Sequence, residues 1–223
     1  MSISPIFDPQ ALPIVALAQE GALDEARLNP HFLRKRIVEK LDWHVEMQGD
    51  LQDALNRECK AAAILLPIVL RDEGLTVLLT RRAQHLKHHP GQISFPGGKV
   101  ETYDRSHVDA ALREAQEEIG LLAQSVEVIG QLPPYRTVSA YQITPIVGLI
   151  APDFSVTLDA NEVDSVFEVP LSFLMNADHH QLRAYQASRL SAVRHFYSMP
   201  YQDFFIWGAT AALLRNLFHL LRA

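Results

Sequence analysis

The sequence predicts an α/β protein of the α+β kind, with a mixed β-sheet sandwiched between helical layers (α/β/α). Three observations predict it. Runs rich in apolar and β-branched residues fall at 62–70, 76–80, 126–131 and 143–150. A short helix with both ends marked stands between the second and third runs, from a cap at Ser106 to a stop at Gly120. An apolar stripe through Trp207, Ala211, Leu214, Phe218 and Leu221 predicts an amphipathic helix near the end of the chain.

Each element has a local reason. Residues 1–57 read as a polar, mostly helical arm that packs or self-associates, and 58–223 as the main domain, final helix included. In the arm, Asn29 before Pro30 is a cap followed by a first-turn proline, and Phe32, Leu33, Ile37 and Leu41 follow at helical spacing. Asp72-Glu73-Gly74 predicts a hairpin between the first two runs. In the central helix, Ser106 and Asp109 form a capping-box start, and Val108, Ala111, Leu112, Ala115 and Ile119 make the buried stripe. Pro133-Pro134 marks a stiff loop with Arg136 and Tyr141 in it or just beyond, and such loops shape substrate access. A further strand pair is expected around 184–197.

Composition narrows the function. The 223 residues suffice for one substantial core, and 48% hydrophobic with 21% charged residues is ordinary for a soluble globular protein. A net charge of −6 argues against broad nucleic-acid binding, although Arg81, Arg82 and Lys87 make a local basic patch near His85, His88 and His89. These histidines match no zinc spacing and read as a polar loop. Cys59 is the sole cysteine, so no intrachain disulfide forms and a reducing compartment is the simplest fit. The apolar run at 61–70 is too short to span a bilayer and contains Pro67. The start of the chain lacks the basic lead and long apolar stretch of a signal peptide. The expected location is cytoplasmic, with no membrane partner.

The stretch 97–121 carries the chemistry. Glu114, Glu117 and Glu118 stand at i, i+3 and i+4, so they share one helical stripe. Each like-charge pair costs about 0.2–0.5 kcal/mol, and acids just before Gly120 oppose the helix dipole by roughly 0.3–1 kcal/mol each. A divalent cation removes both penalties, and hard ions such as Mg²⁺ take carboxylates shared with substrate phosphates. An acid-rich helix face is ordinarily a solvated surface. Here the helix is short and fixed, Arg113 can clamp Glu114, and Gly97-Gly98 lets backbone approach a ligand closely, all of which favour the metal reading.

The segment resembles the signature box of the Nudix hydrolases: Gly, five residues, Glu, seven residues, Arg-Glu-Xaa-Xaa-Glu-Glu-Xaa-Gly and an apolar residue. Arg113, Glu114, Glu117, Glu118, Gly120 and Leu121 match its second half. In the first half, Gly98 is followed after five residues by Asp104 rather than Glu, and eight residues rather than seven precede Arg113. Upstream, Leu78, Leu79, Thr80, Arg82, Ala83, Lys87, Gly91, Phe95, Pro96, Gly97 and Gly98 are similar to the hallmark of the subfamily that hydrolyses coenzyme A. Lys87 stands where that hallmark has Arg, which keeps the charge and loses the planar fork. Weaker similarity continues through Asn161-Glu162-Val163, 167–171 and 206–211.

The resemblance implies the layered fold and attack of water on a pyrophosphate bond, with Mg²⁺ or Mn²⁺ as cofactor. It makes Glu117 and Glu118 metal ligands, Glu114 a ligand or general base, and Arg113 the group that orients Glu114. Gly97 matches the glycine whose carbonyl the family uses at the metal, or is a plain tight turn. Arg82 and Lys87 are candidates for substrate phosphates or ordinary surface charges. Glu162 is a candidate further acid or a solvated or structural one, and Ser94 and Phe95 are candidate channel residues or core and turn packing. The implied substrate is coenzyme A and its thioesters, giving 4′-phosphopantetheine and adenosine 3′,5′-bisphosphate. Two rivals are a pyrophosphatase for ADP-ribose, NADH or related nucleotides, and a nucleotide-binding module without catalysis. The resemblance and the apolar ends of the chain are compatible with a homodimer.

Overall fold

The computed structural model describes residues 8–39, 41–50, 58–186 and 192–223. Parts of the expected arm (1–7, 40 and 51–57) and the middle of the expected strand pair (187–191) lie outside them. The described arm is less helical than expected. It holds strand β1 (Ile14–Leu17) and helix α1 (Pro30–Val38), with 3-10 turns at Pro9–Ala11 and Glu25–Arg27. Pro13, just before β1, cannot donate a helical hydrogen bond, and the apolar run of β1 finds a strand partner instead. Helix α1 begins as its spacing predicts, with Asn29 Oδ1 accepting from the Phe32 N–H at 3.0 Å.

The chain then forms β2 (Lys60–Arg71), β3 (Gly74–Arg82), β4 (Ile93–Ser94) and β5 (Gly97–Lys99) ahead of helix α2 (His107–Ile119). Next come β6 (Val126–Gln131), β7 (Tyr135–Arg136), β8 (Tyr141–Ile150), β9 (Val163–Pro170) and the short α3 (Leu171–Leu174). The last elements are β10 (Gln181–Tyr185), β11 (Arg194–Tyr201), β12 (Phe204–Trp207) and α4 (Gly208–Arg222). An eight-stranded sheet runs β4-β3-β2-β8-β6, with β5 on β2, β7 on β8 and β9 on β3. It is mixed because β2 and β8 are parallel while the other pairs are antiparallel.

The two faces of β2 decide the layers. Ala63, Leu65 and Val69 pack with Ala110, Ala111, Ala115 and Ile119 of α2. Ile64, Leu66 and Ile68 belong to the core that holds Leu33 and Ile37 of α1 and Leu214 and Phe218 of α4. Both faces are therefore covered by helices, and β2 is a continuous apolar run for that reason. The predicted mixed sheet between helical layers is the observed fold. A second sheet, β1-β10-β11-β12, adds Tyr197, Met199 and Ile206 to the core around α4.

Helix α4 departs from its predicted stripe. Trp207 ends β12 rather than joining the helix, and α4 is buried on nearly every side rather than along one face. Three of its polar residues, Arg215, Asn216 and His219, find partners in the arm, while Thr210 donates to the Ile93 carbonyl. Arg215, whose side chain is 3% exposed, meets both Glu20 and Glu46. Asn216 exchanges two hydrogen bonds with the backbone of Met47. Among the described residues no helix is long and apolar enough to cross a membrane.

Candidate active site

Two glycines let β5 sit under α2. Gly97 has φ +153°, and a Cβ there would lie 2.5 Å from the Ala63 carbonyl oxygen and 2.6 Å from the Ile64 Cα. Only glycine fits that approach to β2. At Gly98 a Cβ would lie 2.5 Å from the Glu114 carboxyl carbon. The Glu114 carboxylate is therefore seated directly on the Gly98 backbone. The helix above is fixed at both ends. Ser106 Oγ accepts from the Asp109 N–H at 3.1 Å, and Gly120 closes the helix at φ 70°.

Glu118 is the most enclosed of the three α2 glutamates, with a side chain 3% exposed. Its Oε2 accepts from the Gly97 N–H at 3.2 Å. The Arg82 guanidinium stands 3.8 Å from the other oxygen, beyond hydrogen-bond length. Burial pushes this carboxyl up to about 8, and the charges of Glu114 and Glu162 add to the rise, against the pull of the Gly97 N–H and Arg82. Burial also raises Glu114, as do Glu117 and Glu162, while Arg113 opposes the rise.

Buried acids that their own neighbours leave under-neutralised are a fitting donor set for a hard divalent cation. Among the described residues no three His, Cys, Asp or Glu side chains form a ready-made metal cage. Mg²⁺ commonly takes one or two carboxylates and completes its shell with water and substrate phosphate, so Glu114 and Glu118 fit it.

Arg113 organises the rim. Its Nε and Nη2 each donate to Asp104 at 3.0 Å, and Nη2 also donates to the Lys99 carbonyl at 3.1 Å. Its Nη1 donates to Glu114 and to Glu117, both at 2.8 Å. The hydrogen bonds to Asp104 do most to hold the guanidinium charged. Asp104, to which the sequence assigned no role, is thus the anchor that aims Arg113, and its own side chain is 3% exposed. The fork is used on both sides, so Arg113→Lys is expected to lower kcat/KM about 10–100-fold. Steady-state kinetics beside a denaturation curve checks that the loss is not unfolding.

A cavity of about 760 Å³ opens over these groups. Arg82, Gly97, Gly98, Glu114, Glu118 and Glu162 line it, as do Ser94, Phe95 and Tyr141. Glu117 does not line it; its side chain is 58% exposed and turned to Arg113. Arg113 sits behind the lining acids. Lys87 is exposed and also lies off the cavity wall. Of the loop histidines, His89 lines the cavity, whereas His85 contacts the Asn161 carbonyl at 3.1 Å. The sequence reading did not anticipate Met47 and Asp50 of the arm, or Arg194 and His195 of β11, in this wall. Their approach depends on long-range pairing and leaves no local pattern.

Residues 60–203 match the family model described as the NUDIX domain. A protein of Enterobacter sp. (strain 638), "Uncharacterized Nudix hydrolase NudL", is 44% identical over 168 residues, covering 74% of this chain and 84% of that one. The protein of the same name from Escherichia coli (strain K12) is 44% identical over 172 residues, covering 75% and 87%. Among solved structures, the Nudix hydrolase RenU from M. smegmatis overlaps 52% of this chain and 73% of its own, with 22% identity and a TM-score of 0.44. The family match spans the greater part of the sequence and includes every acid of the α2 site: the chain belongs to the Nudix hydrolase family.

Proposed function

We propose that this protein hydrolyses the pyrophosphate bond of coenzyme A and its acyl thioesters, using Mg²⁺ or Mn²⁺. The products are 4′-phosphopantetheine, or its acyl form, and adenosine 3′,5′-bisphosphate. One observation carries the reading. The segment similar to the coenzyme A hallmark brings Arg82, Phe95, Gly97 and Gly98 to the same cavity as Glu114 and Glu118.

Glu118 and Glu114 are the groups that would hold the ion. When bound, it supplies charge neutralisation at the diphosphate and a more acidic water. Glu114 is a second ligand or the group that takes the proton from water, and Arg113 fixes its orientation in either role. Arg82 lines the cavity beside Glu118 and suits a substrate phosphate oxygen. Glu162 raises the negative potential at both acids and strengthens their demand for a cation.

Incubation of the pure protein with coenzyme A and Mg²⁺, then Mn²⁺, followed by chromatography, tests the proposal. Equal amounts of the two products are expected. Folded protein that turns over nothing with either metal rejects it. The position of Lys87, exposed and off the cavity wall, favours a second reading with ADP-ribose or NADH as substrate. A substrate panel ranked by kcat/KM separates the two: a clear preference for ADP-ribose overturns the coenzyme A assignment. Nucleotide binding without hydrolysis favours the non-catalytic alternative.

A further inference from the structure

The family match begins at residue 60, yet part of the cavity wall comes from before it. Met47 and Asp50 line the cavity beside Tyr135, Thr137, Val138 and Ser139. The arm segment that carries them is held at three points. Glu46 accepts from Tyr197 and Arg215 at 2.6 and 2.7 Å and lies 2.6 Å from His219 Nε2. Met47 donates to the fully buried Asn216 at 3.0 Å and accepts from it at 2.7 Å. The backbone of 48–50 then runs beside Arg136, with Asp50 N–H on the Arg136 carbonyl at 2.9 Å and Arg136 N–H on the Gln48 carbonyl at 3.0 Å.

Asp50 makes the connection to the loop. One carboxylate oxygen accepts from the Tyr135 hydroxyl, and the other accepts from the Val138 N–H at 2.8 Å. One side chain thus ties β7 to the first half of the turn that leads to β8. Beyond it, Ala140 adopts φ 60°, a conformation that a non-glycine residue holds only where its surroundings impose it.

Four hydrogen bonds tie this segment to the loop beneath it, two through the Asp50 side chain and two through the backbone beside Arg136. Glu46 and Met47 tie it to α4, whose own Leu213 lines the same cavity. The chemistry of this wall is one-sided. Among the described lining residues of 46–50 and 135–143, Met47, Tyr135, Val138 and Ile143 offer apolar surface, Thr137 and Ser139 offer hydroxyls, and the one charged side chain is Asp50; Arg194 and His195 line the cavity from β11. A carboxylate repels phosphate, so this wall suits an uncharged portion of the substrate.

We propose that residues 46–50 form a specificity-determining wall of the cavity, with Asp50 the positioning residue that holds 135–139 in the shape which receives the uncharged arm of a diphosphate substrate. The inference rests on the diphosphate-hydrolase reading above. Its test compares the full-length wild type with Asp50→Ala and Asp50→Asn, using coenzyme A and ADP-ribose as substrates. Amide hydrogen exchange across 135–139 is read alongside.

Asp50→Ala removes a charged acceptor from two donors, so KM for coenzyme A should rise about tenfold, with kcat within about twofold. KM for the more compact ADP-ribose should change less than about threefold, and exchange at 135–139 should rise about tenfold or more while α2 stays protected. Asp50→Asn keeps one acceptor and should recover part of the KM. A wild type that turns over neither substrate rejects the hydrolase reading itself. An active wild type with unchanged KM in Asp50→Ala, or an equal rise for both substrates, overturns the wall. Unchanged exchange at 135–139 overturns the positioning role whatever the kinetics.

Discussion

Glu118→Gln is expected to abolish most turnover and, without metal, to make the protein more stable. The Glu118 carboxyl titrates near 4.5 when unperturbed and is pushed up to about 8 in the fold. A raised carboxyl favours the folded state only in its neutral form. That contribution is complete below about pH 4.5, declines as the pH rises, and is gone above about pH 8. Metal-free wild type should therefore lose stability across that window while Glu118→Gln does not. Each pKa unit corresponds to about 1.4 kcal/mol, so the difference at about pH 8.5 is on the order of several kcal/mol at most. Thermal unfolding in a chelator should give the variant a higher Tm at about pH 8.5 and a nearly equal one at about pH 5. Loss of an ion ligand removes several kcal/mol of transition-state stabilisation, so turnover should fall on the order of 10³-fold. A variant less stable than wild type at high pH would mean that Glu118 is satisfied by its own neighbours.

The two glycines should separate stability from activity. Gly97→Ala puts a Cβ against the backbone of Ala63 and Ile64 at a φ that alanine rarely adopts. Neither backbone group can yield without breaking the β2–β5 pairing, so a loss of roughly 2–4 kcal/mol is expected. At Gly98→Ala the three atoms nearest the new Cβ are the carboxyl group at the far end of the Glu114 side chain. That end can swing aside, at a stability cost below about 1 kcal/mol. The displaced carboxylate should still lower kcat about 10²-fold, as a shift of about 1 Å at a reacting group does. Denaturant titrations and initial rates on both variants check this. Equal effects on stability would show that Glu114 is not seated as described.

The layered fold was legible because its main strands and helices carry period and caps. The runs at 62–70, 76–80, 126–131 and 143–150 became β2, β3, β6 and β8, and both caps of α2 fell where the sequence marks them. Strands β4, β5 and β7 are two or three residues long and exist through their partners, so no local pattern announces them. In the site, one stripe was too coarse a description. At about 100° per residue, Glu117 lies about 40° around the helix from Arg113, whereas Glu118 lies about 140° away. The edge of burial passes between the two acids, which leaves Glu117 outside with Arg113 and Glu118 inside with Gly97. Asp50 lay beyond local reading because its partners Tyr135 and Val138 stand 85 and 88 residues further along the chain.

The most direct test is calorimetric titration of Mg²⁺ into the substrate-free protein at about pH 7.5, in two buffers of different ionisation enthalpy. With its carboxyl pushed up to about 8, Glu118 carries a proton in about three-quarters of the molecules at that pH and gives it up to bind the ion. Wild type should therefore bind saturably with release of about three-quarters of a proton, and Glu118→Gln should lose both. Binding of equal strength by the variant would contradict the assignment of Glu118 as the group that holds the metal, and binding without proton release would contradict its raised pKa.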